Sequence, residues 1–448
     1  MRTLLAPTIL LPAAGWAIGC AAANGGVKML GIAFRTFGFL ACYIAGSSCM
    51  LGCIGYINDP HTFPGREPCR FLGQEIWSGS RIQSITIGDF NGDSRPDVGV
   101  RTSEDLSVLL NTGGGNFTSP IRTELRYGSA LASVTDYGGG RTEAAADFND
   151  DGKLDLVIKD RNELLFGVGD GTFLPPQAIR GEYPTFYGLT TTGDFNADHK
   201  PDLVFFVRGS LAILLGNGDG TFRLGSTAEF GPDGQLLVAD FNRDGWSDLA
   251  YLHYGPDGPG WPSSRGGLCC DLRIFLGQGD GAFQEQARMS EIAAGGILAA
   301  HFNDDGMLDI ATANSVLLGK GDGSFQAHQS FLYEAPGTPA GPAAAADLDG
   351  DARVDLVNLD TSELRSIYTL LGNSDGTVAL ANPSSHWLYL WEPVDRRVGG
   401  IADLDGDGRP DLVTAVFGGG DGHVLPIPSA PVASSVMILL NRVEGAPR

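Results

Sequence analysis

Basic residues are scarce in this chain. Its 448 residues include 30 Lys and Arg against 53 Asp and Glu, a formal net charge of −23. Such a surface repels polyanions and argues against nucleic-acid binding. Cysteine is scarce too. Of seven, Cys20, Cys42, Cys49 and Cys53 fall in an apolar N-terminal stretch, leaving Cys69, Cys269 and Cys270 for the remainder. No CxxC pair or histidine cluster accompanies them, which argues against a zinc site. An adjacent Cys269–Cys270 bond and reduced thiols both stay open. HExxH is absent as well. The charged fraction of 19% and the 65 glycines agree with a turn-rich β protein.

Charge is missing altogether from Thr3 to Val27 and from Thr36 to Tyr56, with Lys28 and Arg35 between. Either run is long enough to cross a bilayer or to form the core of an export signal. Residues 1–57 are therefore expected to be a signal peptide or membrane-anchor region, with translation starting at Met1 or Met29. Cys20 in "AIGC" and Cys53 in "MLGC" loosely match lipid-attachment boxes. Every version exports residues 58–448 to the extracellular side or the cell surface.

What the remainder does contain is an acidic frame, repeated seven times at intervals of 46 to 61 residues. Numbering each frame from its first residue, positions 1, 3, 5 and 9 carry side-chain oxygens. They are Asp89, Asn91, Asp93 and Asp97 in the first frame, then Asp147, Asn149, Asp151 and Asp155 in the second. Asp194, Asn196, Asp198 and Asp202 follow, then Asp240, Asn242, Asp244 and Asp248. The fifth has only Asn303, Asp305 and Asp309, because His301 occupies position 1. The sixth has Asp347, Asp349, Asp351 and Asp355, and the seventh Asp403, Asp405, Asp407 and Asp411.

Turn chemistry alone would fix a glycine, not four oxygens seven times over. Oxygens at positions 1, 3, 5 and 9, with a backbone carbonyl at 7, suit a hard cation of calcium's size, which takes six to eight oxygen ligands. An EF-hand would need a Glu at position 12. That position instead holds Val100, Ile158, Phe205, Tyr251, Thr312, Asn358 and Thr414, inside apolar runs that read as strands. The frames account for 22 of the 53 acidic residues, and seven divalent ions would bring the charge from −23 to −9.

A second motif follows each frame. "LLFGVGDGTF", "LLGNGDGTF", "FLGQGDGAF" and "LLGKGDGSF" each set an apolar strand before an Asp-Gly turn and an aromatic residue after it, a strong hairpin signal. Weaker versions are "LLNTGGGNF" and "LLGNSDGTV", and "ILLNRVEG" is cut short near the last residue. Each repeat thus offers four antiparallel strands at a period near fifty, which predicts an all-β, seven-bladed propeller. The strands entering the frames ("EAAADF", "AAAADL") have small side chains suited to the crowded axis. The seventh repeat lacks its outermost strand, and residues 70–78, "RFLGQEIWS", are expected to supply it and latch the ring.

These paired motifs resemble the FG-GAP or VCBS repeat family, which includes the integrin alpha-subunit propeller and some propeller lectins. The resemblance covers roughly residues 70–445. It implies that each acidic loop joins the first two strands of a blade and binds Ca2+ structurally. Repeats two, four and seven keep every element. Ser94, His199 and Ala352 replace a turn glycine in repeats one, three and six, which makes a positive φ costly there. His301 leaves the fifth site weak or empty.

No catalytic constellation emerges. "GNSDG" at 372–376 matches a nucleophile elbow, yet aligns with "GNGDG" at 216–220, so Ser374 sits in a hairpin turn. The "GxGDG" turns lack the following helix that phosphate binding requires. The expectation is a monomeric, exported, non-enzymatic propeller that serves as a ligand-binding or adhesion module for an extracellular protein or glycan. A lectin is the narrower alternative, and a polysaccharide-degrading enzyme, as some family propellers are, a further one. Trp261, Trp387, Trp391, Tyr187 and Tyr389, on loops opposite the acidic ones, are candidates to stack on a sugar or anchor a partner.

Overall fold

The computed structural model describes residues 71–80, 82–102, 104–125, 144–158, 162–179, 190–207, 210–229, 234–254, 268–293, 295–326, 329–330, 339–360, 367–380, 395–417 and 434–441. Within the leader it describes only the short strands Ile9–Leu10, Ala17–Ile18, Leu40–Cys42 and Cys53–Gly55. Apart from those strands the expected signal or anchor, with its lipid-attachment candidate Cys20, lies outside the described residues, as do Cys69 and the five candidate aromatics Trp261, Trp387, Trp391, Tyr187 and Tyr389. Among the described residues no helix is long and apolar enough to cross a membrane.

Seven four-stranded antiparallel sheets are arranged as the blades of a propeller. Blade three shows the pattern, with strands Thr190–Gly193, Asp202–Val207, Ser210–Gly216 and Phe222–Glu229 pairing in chain order. First strands are innermost: Ile82–Gly88, Ala144–Ala146, Thr190–Gly193, Gly234–Ala239, Leu298–Ala300, Pro339–Ala346 and Asp395–Ala402. They pack on one another around the axis, so bulk is excluded. A Cβ on Gly399, for instance, would stand 2.8 Å from Ile85 of the neighbouring blade.

Every second strand begins at position 9 of an acidic frame: Asp97–Thr102, Asp155–Ile158, Asp202–Val207, Asp248–Tyr254, Asp309–Ala311, Asp355–Asp360 and Asp411–Phe417. Side chains alternate across a strand, so Leu156 and Ile158 enter the cluster shared with blade one while Val157 enters the cluster shared with blade three. Burial on both faces explains why "DLVI" reads as a continuous apolar run rather than an alternating one. The core is accordingly seven clusters, one at each blade junction, rather than one central mass.

Aromatics of the two motifs meet across these junctions. Phe90 packs edge-to-face on Phe173, Phe148 on Phe222, Phe195 on Phe283 and Phe241 on Phe325, with ring centroids 5.6–5.9 Å apart. In each pair the first ring follows position 1 of one blade and the second closes the glycine hairpin of the next. Such pairs add about 0.5–1.5 kcal/mol beyond simple burial. The aromatic after "GDG" thus belongs to the blade interface as much as to its own strand.

Closure follows the sequence expectation. Blade seven contains Asp395–Ala402, Asp411–Phe417 and Ser434–Asn441, and its outermost strand is Phe71–Gly79. Trp77 pairs with Val436 and is 5% exposed, packed in the cluster that joins blades seven and one. The segment therefore contributes both a ladder of hydrogen bonds and a large apolar side chain. Deleting residues 66–79 is expected to abolish the single cooperative unfolding transition seen by calorimetry. An unchanged melt would contradict the latch.

Candidate metal centres

The position-9 aspartates are the buried centre of each loop. Asp97, Asp155, Asp202, Asp248, Asp309, Asp355 and Asp411 are all 0% exposed. In each, Oδ2 accepts the backbone N–H of loop position 2, from Phe90 through to Leu404, at 2.8–2.9 Å. Oδ1 accepts an N–H at the end of the third strand, at 2.7–2.8 Å, from Asn111, Gly167, Gly216, Gly277, Gly319, Gly372 and Asn441. One carboxylate thus ties the acidic loop to the glycine hairpin. This approach explains the first glycine of the hairpin. A Cβ at Gly167, Gly216, Gly277, Gly319 or Gly372 would lie 2.2–2.6 Å from the carbonyl oxygen of loop position 8.

Blades one and seven carry Asn111 and Asn441 at that place, and their side chains add a second bond. Asn111 Nδ2 donates to the Leu404 carbonyl at 2.9 Å, and Asn441 Nδ2 to the Leu348 carbonyl at 2.7 Å, each in the preceding blade. Elsewhere a hairpin glycine makes the link: Gly171, Gly220, Gly281 and Gly323 donate N–H to the carbonyls of Phe90, Phe148, Phe195 and Phe241. Asn303 of blade five bridges Asp375 of blade six. Acidic loops and hairpins therefore share one face of the ring and connect every pair of neighbouring blades.

Burial pushes the position-9 carboxyls up. The carboxylates at positions 1, 3 or 5 add to this, and the two donated N–H groups oppose it. Asp155, Asp202, Asp248 and Asp411 reach about 6 and Asp355 about 7, while Asp97 and Asp309 move the same way. A raised folded value means the folded chain holds the proton more tightly than the unfolded one. The resulting stability is complete below the unfolded value and is lost as pH rises through about 6 to 7.

Position 1 folds the loop over itself. Its Oδ2 accepts the N–H of position 6, Ser94, Gly152, His199, Gly245, Ala352 or Gly408, at 2.7–2.9 Å. Position 6 is left-handed in all six, and Ser94, His199 and Ala352 adopt φ of 63°, 61° and 67° without being glycine. Position 4 is also left-handed, at Gly92, Asp150, Ala197, Arg243, Gly350 and Gly406. Where glycine is absent, no residue type at position 4 signals this.

Carboxylates converge most closely in blades six and seven. Asp347, Asp349 and Asp355, and likewise Asp403, Asp405 and Asp411, each bring one oxygen within 4.8 Å of the others. Asp351 and Asp407 stand outside these groups, with Oδ1 accepting the N–H of Arg353 and Arg409. In blades one to five position 3 is Asn, and in blades one, three, four and five its Nδ2 donates to the position-5 carboxylate at 2.6–3.0 Å. Asp194 Oδ1 is buried with no hydrogen-bond partner. All-oxygen donors and this open acceptor fit a hard cation held by positions 1, 3 and 9, and the converging groups do not include the expected ligand at position 5. When bound, such an ion offsets the mutual repulsion of the loop carboxylates. The fifth loop does not fit: His301 Nδ1 lies 2.7 Å from the Met307 carbonyl oxygen.

Positive φ at a non-glycine residue costs about 1 kcal/mol. Ala352→Gly is expected to raise the unfolding free energy by about that much, and Gly408→Ala to lower it by a similar amount. A Cβ at Gly408 meets nothing within 4 Å, so strain alone is measured. Denaturant unfolding with no change in either variant would contradict the assignment.

A model of the FG-GAP-like repeat matches residues 89–158, 147–205, 194–251 and 301–358. Each match runs from position 1 of one loop to position 12 of the next. No curated protein matches the chain. Among solved structures, an Agrocybe aegerita lectin described as recognising non-reducing terminal N-acetylglucosamine is similar at 17% identity and a TM-score of 0.48, over 71% of this chain and 92% of that one. BBS1N, solved in complex with ARL6DN, is similar at 9% identity and a TM-score of 0.48, over 84% of this chain and 98% of that one. With its frames, hairpins and blades matching in sequence and in space, the chain belongs to the FG-GAP-like repeat family.

Proposed function

We propose that this chain is a calcium-stabilised propeller that works outside the cytoplasm as a non-enzymatic ligand-binding or adhesion module. One observation carries the reading. The recurrent acidic loops and hairpins lie together on one face and are consumed in joining blades, with every position-9 carboxylate committed to two backbone N–H groups. A carboxylate so committed is poorly placed to exchange protons with a substrate.

The other face is where the repeats differ. Second strands end there at Tyr254 and Phe417, and third strands begin again at Leu268 and Ser434. The intervening residues 255–267 and 418–433 are longer than the corresponding stretches of the other five blades, so the repeat pattern does not dictate them. Loops carried on a rigid scaffold are common sites of recognition. Partner choice, protein or glycan, is assigned to that face.

The test is a thermal melt of the full chain at pH 7 in calcium and in chelator, paired with binding to arrays of glycans and extracellular-matrix proteins. At that pH most position-9 carboxyls ionise, so the metal-free fold carries its full repulsion. An occupied site contributes about 2.7 kcal/mol at a hundredfold excess over Kd. The expected result is a melt that falls sharply in chelator, together with calcium-dependent binding to one ligand class. A melt indifferent to chelator contradicts the calcium reading, and silence on both arrays contradicts the binding reading.

A further inference from the structure

We propose that the loop of blade five holds no cation and that the His301 side chain takes the cation's place. This deepens the calcium reading above and rests on it only for the other six loops. A carbonyl oxygen can only accept, so at 2.7 Å from the Met307 oxygen His301 Nδ1 must carry the proton and donate it. Met307 is position 7, whose carbonyl completes the set of oxygens that a hard cation would take. In the other six loops position 1 is an aspartate, which when ionised has no proton to donate to that oxygen. His301 thus removes a ligand and at the same time occupies another.

Two further features of the loop agree. Position 4 is left-handed in the other six loops, but Asp304 is not among the residues of positive φ. The path of the fifth loop has therefore changed, and its Asn303 bridges Asp375 of blade six.

Position 9 nevertheless keeps its role. Asp309 is 0% exposed and holds Phe302 and Gly319 at 2.8 Å as in every other blade. The loop retains the connection that joins hairpin to strand and dispenses with the ion. Blade five becomes a part of the ring whose order does not depend on calcium.

Calcium equivalents per full-length chain, counted by equilibrium dialysis, should rise by one in His301→Asp relative to the wild type. No gain overturns the proposal, as does a wild-type count of seven. A count of zero in both proteins contradicts the calcium reading instead, and a second measurement then decides the role of His301. In chelator, hydrogen exchange at residues 300–310 should be slower in the wild type than in the other six loops, and His301→Ala should erase that protection. Equal exchange in wild type and His301→Ala overturns the proposal whatever the calcium count.

Discussion

The structure depends on a buried carboxylate that accepts two backbone N–H groups. At position 9 of each frame, one aspartate links the residue that enters the acidic loop to the residue that ends the third strand. Those two points are separated along the chain but adjacent in space, and the first hairpin glycine is small because the loop's own carbonyl passes beside it. Once that connection is made, loop position 2 presents its Phe or Leu side chain, and in six junctions its carbonyl, to the next blade. The hairpin of that blade returns a hydrogen bond and, in four junctions, a second aromatic ring. Loop, hairpin and blade junction are therefore one unit repeated around the ring.

This arrangement concentrates negative charge. Burying an anion is costly even when it is hydrogen-bonded, and the raised values of Asp155, Asp202, Asp248, Asp355 and Asp411 reflect that cost. Two remedies are visible in the sequence. Blades six and seven gather carboxylates that suit a cation, whereas blade five reduces its carboxylates and inserts a histidine donor. The same backbone plan thus tolerates an ionic and a non-ionic solution.

Much of this was legible from residues alone. The recurrence of the frame and hairpin led to seven four-stranded blades, and the missing outer strand of the last repeat led to Phe71–Gly79. Ser94, His199 and Ala352 were recognisable as strained because glycine holds their place in sister loops. Position 4 was not, since Asp150, Ala197 and Arg243 vary too freely to signal a left-handed backbone. Nor did the frame reveal that position 9 is a backbone staple. A metal ligand and a hydrogen-bond acceptor demand the same carboxylate, and only the third strand's position separates the two roles. The asparagines of blades one and seven looked like decay of a glycine motif, yet Asn111 and Asn441 supply the junction bonds there.

The most direct measurement is the unfolding free energy of Asp248→Asn in chelator, where loss of a cation cannot contribute. The substituted side chain would turn an amide NH2 toward one of the two N–H donors while removing the buried charge. If the staple governs the fold, stability falls by about 1–3 kcal/mol, the cost of stranding a buried donor. Unchanged or increased stability would mean that repulsion and desolvation outweigh the two hydrogen bonds, and would contradict the central role given to position 9.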